Sequence, residues 1–387
     1  MTKVNTKELS KAIGFAMTAA PRMRHEKDFN GVALSREGDK LFIASRGFET
    51  AVCTHIFAAG FGDDWKAYVN GQTLRDWLNV CAAEFVELAI DGKGKLSVAA
   101  SKKNRSTLLQ LDEPDYTGLF MIRDATKQIA FAPEDCEEFL RLLKFISAYA
   151  STNEATAILA CVHIEAANDS IKLIATDAIS LAHAHLNGPV DKALVSNIPA
   201  RNMGIVVAAA GLVSECNITV YTGNAGEVYW EVGDSIIRLV HVDQSYPQYE
   251  KAIEQGGWEI SINPSDLLEG ARASKVFGEY SILEVIEDGR LGVISVASGD
   301  SIGTAATEIP IVVANYKQGV RAKFNNDFLI KAMKDCDAAK LHMRDGRESP
   351  KAMIVGRCDG ITIAISPAQL NKAEKEASTT YSQTSTN

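Results

Sequence analysis

The chain has 387 residues, of which 46% are hydrophobic and 23% charged, and its formal net charge is −9. At about 100–200 residues per domain this length makes two to four domains. The composition is that of a soluble globular protein. No window approaches the ~18 consecutive apolar residues of a membrane span, and the charged opening MTKVNTKELSKAIGFAM lacks the apolar core of an export signal, so a cytoplasmic location is expected.

From the N-terminus, TKELSKAIGFAMTAA (6–20) has a helical period, with Glu8 early and Lys11 later, as the helix dipole favours. GDKLFIASRGFETAVCTHI (38–56) reads as two strands about a small polar pair, Ser45-Arg46. AYVNGQTLRDWLNVCAAE (67–84) runs from strand to helix, Phe85–Ile90 alternates and turns at Asp91-Gly92, and KKNRSTLLQL (102–111) is a further strand. After a candidate linker, MIRDATKQI (121–129), the pattern restarts with the helix APEDCEEFLRLLKFISAYA (132–150). NDSIKLIATDAISLAHAHL (168–186) is the second strand pair, with Thr176-Asp177 aligned to Ser45-Arg46. VSNIPARNMGIVVAAAGL (195–212) again goes from strand to helix, and Ile218 and Val220 turn near Gly223–Gly226 and return through Val228, Trp230 and Val232.

A second candidate linker, EKAIEQGGWEI (250–260), precedes a third helix, NPSDLLEGARASKVFG (263–278). DGRLGVISVASGDSIGTA (288–305), VRAKFNNDFLIKAMKDCD (320–337) and a hairpin of Leu341 and Met343 turning at Asp345-Gly346 complete the copy. The closing NKAEKEASTTYSQTSTN (371–387) has no apolar period and is expected to be disordered. The chain is therefore α+β, three copies of one unit at a period of roughly 130 residues, far above the 20–50 of solenoids.

Catalytic motifs are weak. GDSIG fits the nucleophile-elbow pattern at Gly299, Ser301 and Gly303, but TAATEIPIVVA follows where that chemistry needs a helix, which favours a strand-to-strand turn over a serine hydrolase. His183 and His185 share a strand face without an evident third ligand, so no metal or cofactor is expected. Gly60-Phe61-Gly62 lacks the frame of a dinucleotide loop. The seven cysteines are scattered singly, as free thiols in a reducing compartment are. Thr176-Asp177 is not repeated as a pair, which suits a polar cap on a bend better than shared chemistry.

Four stretches resemble one family in order and spacing. LIATDAISLA (173–182) is similar to the Thr-Asp-Gly-His-Arg-Leu-Ala segment of the bacterial sliding clamps, the β subunits of the replicative DNA polymerase. QSYPQYEKAI (244–253) resembles their Arg-Phe-Pro-Asp-Tyr segment, KFNNDFLIKAMKDCD (323–337) their Phe-Asn-x-x-Tyr-Leu helix entry, and AISPAQL (364–370) their closing Met-Pro-x-Arg-Leu. The resemblance implies three clamp domains, 1–126, 127–253 and 254–370, and a homodimer joined head to tail into a six-domain ring. Helices would line the hole and antiparallel sheets the outside. Such a protein is not an enzyme by itself; it encircles duplex DNA and tethers the polymerase, the clamp loader and other partners. A scaffold of the same fold that does not encircle DNA is the alternative.

The implied sites follow residue by residue. Phosphate contacts would come from Lys11, Arg22, Arg24, Arg75, Lys102, Lys103, Arg141, Lys144, Arg201, Arg272, Lys275, Lys331 and Lys334. An acidic total charge argues against a protein whose surface is mostly a nucleic-acid interface, and a basic lining on an acidic body meets that objection in part. The dimer would join the edge strand carrying Ser106 and Leu108 to the helix end at Val276 and Phe277. A peptide pocket would be walled by Leu159, Thr176, Leu181, Pro247, Ser349, Pro367 and Leu370. Ala178, Ile179, Ser180, Lys251, Ala364, Ser366, Ala368 and Gln369 stand at its altered positions. Ala178, Ile179 and Ser180 replace the family's Gly, His and Arg, which makes the pocket greasier. The tail beyond Leu370, tethered there at an effective concentration of about millimolar, would compete for it through Tyr381.

Overall fold

The computed structural model describes residues 1–20, 31–60, 63–111, 122, 125–223, 226–250, 258–286, 290–296, 304–313, 321–344 and 351–371. One order of elements occurs three times. The first copy is β1 (Thr2–Asn5), α1 (Thr6–Ala16), β2 (Gly31–Glu37), β3 (Lys40–Arg46), β4 (Thr50–Phe57), β5 (Trp65–Asn70), α2 (Gly71–Val80), β6 (Phe85–Ile90), β7 (Leu96–Ala99) and β8 (Arg105–Leu108). The second is β9 (Thr126–Phe131), α3 (Pro133–Ser147), β10 (Cys161–Ala167), β11 (Ser170–Thr176), β12 (Ser180–Asn187), β13 (Leu194–Pro199), α4 (Ala200–Ala210), β14 (Ile218–Thr222), β15 (Glu227–Val232) and β16 (Ser235–Val240). The third is β17 (Trp258–Ile262), α5 (Pro264–Lys275), β18 (Tyr280–Ile286), β19 (Arg290–Val296), β20 (Ala306–Val313), β21 (Arg321–Asn325), α6 (Asn326–Met333), β22 (Ala338–Arg344), β23 (Lys351–Cys358) and β24 (Ile361–Ile365).

Each copy thus opens with a strand and then the expected helix. Among the described residues four of six helices start the same way: an extended asparagine at the end of a strand caps the helix with its own side chain. Asn5 accepts from the N–H groups of Lys7 and Glu8, Asn70 from Thr73, Asn263 from Ser265 and Asn325 from Asp327. The cap satisfies donors that the first helical turn leaves open, and it fixes the angle at which strand becomes helix. The helices end earlier than their sequence patterns. Residues Met17–Ala19 tighten into a 3-10 turn after α1.

By their contacts the residues fall into two compact units: residues 1–147, 163–171 and 187–244, and residues 148–162, 172–186 and 245–387. The first unit holds the antiparallel sheets ordered β5-β2-β3-β4-β16-β15-β14-β9 and β1-β6-β7-β8, together with the paired strands β13 and β10. Leu9, Ala12, Ile13 and Ala16 of α1 are buried at helical spacing, as are Leu74 and Leu78 of α2. On α3, Phe139 stacks between Phe131 of β9 and Trp230 of β15, with ring centroids at 4.3 and 6.0 Å. In the second unit the antiparallel order is β12-β24-β23-β22-β17-β20-β19-β18-β21. Here α5 and α6 bury Leu267, Ala271, Leu329, Ala332 and Met333. Gly270 lets α5 approach the sheet closely; a Cβ there would come within 3.2 Å of Val293. All seven cysteines are free; three are buried and four half-buried. Among the described residues no helix is long and apolar enough to cross a membrane.

One ion pair is inside this architecture. Arg321 on β21 lies opposite Glu284 on β18, its Nη2 donates to Glu284 Oε2 at 2.6 Å, and the two side chains are 8% and 10% exposed. Removing one partner leaves the other charge buried and uncompensated. Arg321→Met is expected to cost about 3–5 kcal/mol, and the double change to apolar residues far less. Urea denaturation of the two variants checks this.

Candidate functional site

The polar pair Thr176-Asp177 sits where β11 turns into β12, and its side chains build the turn. The Thr176 hydroxyl donates to the Ser180 carbonyl at 2.7 Å and accepts from the Ala178 N–H at 3.1 Å. Asp177 Oδ1 accepts from the N–H groups of Ile179 and Ser180 at 3.0 and 2.7 Å, and its Oδ2 takes the Ser180 hydroxyl at 3.0 Å. This is an Asx-type turn, in which a short acidic side chain stands in for backbone partners. The backbone bond from Asp177 N–H to Ser180 O has its counterpart in Gly47 N–H to Thr50 O. The structural equivalent of Thr176-Asp177 is therefore Arg46-Gly47, one residue later than the alignment to Ser45-Arg46. The turn holds Ala178 at φ 76°, a left-handed conformation that favours glycine.

Behind the turn lies an apolar floor. Ile174, Leu181, Tyr249 and Ala364 form one buried cluster, with Tyr246 and Met353 packed against it. β12 and β24 pair so that Leu181 faces Ala364 and Ser180 faces Ile365, and the Ser366 N–H donates to the Ile179 carbonyl at 2.8 Å. The expected wall residues Thr176, Ala178, Ile179, Ser180, Leu181, Ala364 and Ser366 thus come together. Of these, Ile179 is exposed at 45% and stands on the rim as a free apolar surface. Pro367, Ala368 and Leu370 are half-buried and Gln369 exposed, with the Ala368 N–H bound to the Lys323 carbonyl at 2.7 Å. Leu159 is half-buried and its carbonyl accepts from Ser151 N–H at 2.8 Å. Pro247 is exposed. Lys251 and Ser349 lie outside the described residues.

Sequence reasoning picked Pro247 and missed its neighbours Tyr246 and Tyr249, along with Ile174 and Met353. The two tyrosines, three apart around a proline, were the available signal. Burial first, and then the Cys161 thiol, pushes the Tyr246 hydroxyl's pKa up, against a lowering hydrogen bond to the Thr176 backbone. His183 is half-buried, its ring 5.8 Å from that of Tyr249, while His185 is exposed. Among the described residues no three His, Cys, Asp or Glu side chains gather into a metal-holding group. Ser301 lies outside the described residues.

The expected phosphate-contacting cations divide into two sets. Lys11, Arg75, Lys102, Lys103, Lys144, Arg272 and Lys334 are exposed. Four others are engaged within the protein. Both nitrogens of the Arg141 fork meet Glu138 at 2.7 Å, which holds that carboxyl below its usual range. Arg201 pairs with Glu49 at 2.6 Å, and Lys275 pairs with Asp327. Lys331 donates to the Ala148 carbonyl at 2.6 Å and lies 4.0 Å over the Tyr149 ring. Arg22 and Arg24 lie outside the described residues. A cavity of about 540 Å³ in the first unit, between α1 and the β3–β4 hairpin, is lined by Lys11, Lys40, His55 and Phe57.

On the edge strand β8, Leu108 is 7% exposed, so it already fills the core of its own chain, and Ser106 is half-buried. At the end of α5, Val276 is 79% exposed and Phe277 half-buried.

No family model matches the chain. It is 22% identical over 265 residues to the Beta sliding clamp of Synechocystis sp., covering 64% of this chain and 67% of that protein. It is 22% identical over 253 residues to the Beta sliding clamp of Micrococcus luteus, covering 65% and 79%. Solved structures agree over nearly the whole chain. The pol III beta of Caulobacter crescentus matches with a TM-score of 0.83 at 18% identity, covering 96% of this chain and all of that one. The DNA polymerase III beta subunit of Thermotoga maritima matches at 0.80 and 18%, with the same coverage. This is the sliding-clamp fold. Within it the Thr176–Leu181 turn lies over the buried apolar floor of Ile174, Leu181, Tyr249 and Ala364.

The left-handed alanine generates a prediction. An L-residue there costs about 1–2 kcal/mol, and glycine gives back about 0.5–1 through its looser unfolded chain. Ala178→Gly should therefore stabilise the protein by about 0.5–1 kcal/mol, read as a raised urea midpoint at unchanged slope.

Proposed function

We propose that the chain is a DNA sliding clamp: a head-to-tail homodimer of three-domain protomers, closed around duplex DNA, that tethers a polymerase and other partners through the Thr176–Leu181 pocket. The domains are 1–126, 127–253 and 254–370. The role is one of processivity and needs no catalytic group of the chain's own, and it belongs in the cytoplasm, where the DNA is.

One observation carries the reading. Sheets continue from copy to copy by the same join. In the first, β4 pairs with β16, Thr50 opposite Leu239 and Cys53 opposite Ile236. In the second, β12 pairs with β24, Ser180 opposite Ile365 and Ala184 opposite Ile361. The rule is that the fourth strand of one copy takes the last strand of the next. Two strands are left without their match: β20, the fourth strand of the third copy, and β8, the last strand of the first. β8 ends its sheet, and the start of β20 pairs with β19 alone among the described residues. Exposed strand edges are templates for pairing with another chain. Satisfying the rule with a second protomer joins head to tail, and two such joins close a ring. Carrying the β4–β16 register through the repeats puts Arg105 opposite Ala306 and Ser106 opposite Ala305 of the partner.

A ring holds DNA by topology, so its electrostatic grip stays weak enough to slide. Exposed Lys11, Arg75, Lys102, Lys103, Lys144, Arg272 and Lys334 suffice for that. The apolar floor suits a short peptide with apolar anchors, and exposed Ile179 extends the anchor surface.

Retention on nicked circular DNA tests the ring. The protein should stay on circles through a salt wash and leave when the circle is cut; equal loss from both forms fits a non-encircling scaffold instead. Val276→Asp, at a site already exposed, should shift light scattering from dimer to monomer without changing the melting curve. Leu108→Asp should instead unfold the chain. Cysteines at 105 and 306 should cross-link two protomers, and absence of that product would mean another register.

A further inference from the structure

We propose that Lys331 is a positioning residue of the peptide pocket, a strut from α6 that fixes the wall at Leu159, and not a contact to DNA. The inference rests on the pocket reading above.

Lys331 belongs to the third copy. Its ammonium donates to the carbonyl of Ala148 at 2.6 Å and sits 4.0 Å over the ring of Tyr149, residues that follow α3 in the second copy. Tyr149 is 2% exposed, so the cation is held on a fixed platform. Two residues on, the Ser151 N–H donates to the Leu159 carbonyl at 2.8 Å, tying the clamped segment to the expected wall. The other side of the strut acts through charge. Burial lowers the Lys331 pKa and Asp177 raises it; Tyr149, pushed up chiefly by burial, also feels Asp177. Asp177 is the side chain that bonds the N–H groups of Ile179 and Ser180. Attraction between the two opposite charges draws the ammonium toward the residue that builds the rim. One ammonium thus spans the two copies that supply the pocket, with a proton on the Ala148 carbonyl and a face on the Tyr149 ring, and a group so engaged has fewer protons left for a phosphate.

The test uses the full-length protein and a fluorescein-labelled pentapeptide with two leucines and a C-terminal phenylalanine. Lys331→Met should weaken peptide binding roughly 3–30-fold, the scale of coupling through packed contacts. Lys331→Arg, which keeps charge and stacking, should restore most of it. Tyr149→Leu should reproduce the loss, and Tyr149→Phe, which keeps the ring face, should not. The salt dependence of DNA retention should be unchanged by Lys331→Met but flattened by Lys144→Ala or Arg272→Ala. Far-ultraviolet circular dichroism confirms that each variant is folded. Peptide affinity untouched by Lys331→Met, or a flattened salt slope in that variant, overturns the inference. Leu181→Asp separates the two readings: if it too leaves peptide binding intact, the pocket itself is wrongly placed.

Discussion

Strand edges set the terms for this protein. A β-strand satisfies its backbone only when both sides are paired, and an open edge invites another chain. Within each compact unit the chain meets that demand by running one copy's last strand alongside the previous copy's fourth strand. β16 on β4 and β24 on β12 are the same solution at different places in the sequence. Helices are then left with one task, which is to cover the sheets. They need only an apolar stripe and a defined start, which the strand-ending asparagines at 5, 70, 263 and 325 provide. The devices that recur are edge pairing and, in the first and third copies, asparagine capping, and neither depends on particular core side chains.

The β12–β24 join also makes the pocket. Pairing puts Leu181 beside Ala364, and the chain on either side supplies the rest: the Asp177 turn before β12 and Ser366 after β24. The turn is over-determined. Asp177 and Thr176 between them make five hydrogen bonds to residues 178–180. That density explains how an alanine persists at φ 76°. Strain persists where the surroundings fix the conformation. It also separates the rim's shape, set by Thr176 and Asp177, from its surface chemistry, set by Ile179. Ser180 adds nothing polar to that surface, because its hydroxyl is spent on Asp177.

Much of this was legible in the sequence, for physical reasons that differ by feature. Period-two strands, Asp-Gly turns and dipole-matched helices are local, so the element order and its threefold repetition could be read from residues alone. Thr176-Asp177 was readable as a bend cap because Thr and Asp have short side chains that reach their own backbone. What resisted reading was whatever depends on aim. The resemblance puts Leu108 at an interface, and in a single chain it is 7% exposed; an alternating strand does not say which face meets its own helices. Tyr246, Tyr249 and Met353 line the floor from distant segments, and only packing brings them there.

Electrostatics shows the same limit most sharply. Arg141, Arg201, Lys275 and Lys331 are indistinguishable by type from Lys144, Arg272 and Lys334. The structure divides them by their neighbours: Glu138, Glu49, Asp327 and the Tyr149 platform against open solvent. Each internal pair removes a cation from service and leaves the molecule's net charge unaltered. A net charge of −9 therefore says little about grip on DNA. What matters to an encircling protein is how many cations remain unspent where phosphates pass, and a small number is an advantage. Each neutralised phosphate multiplies affinity and its salt dependence. A ring that bound as tightly as a sequence-specific protein would stall, whereas one that relies on closure has cations to spare for holding its own elements in place, as Lys331 does.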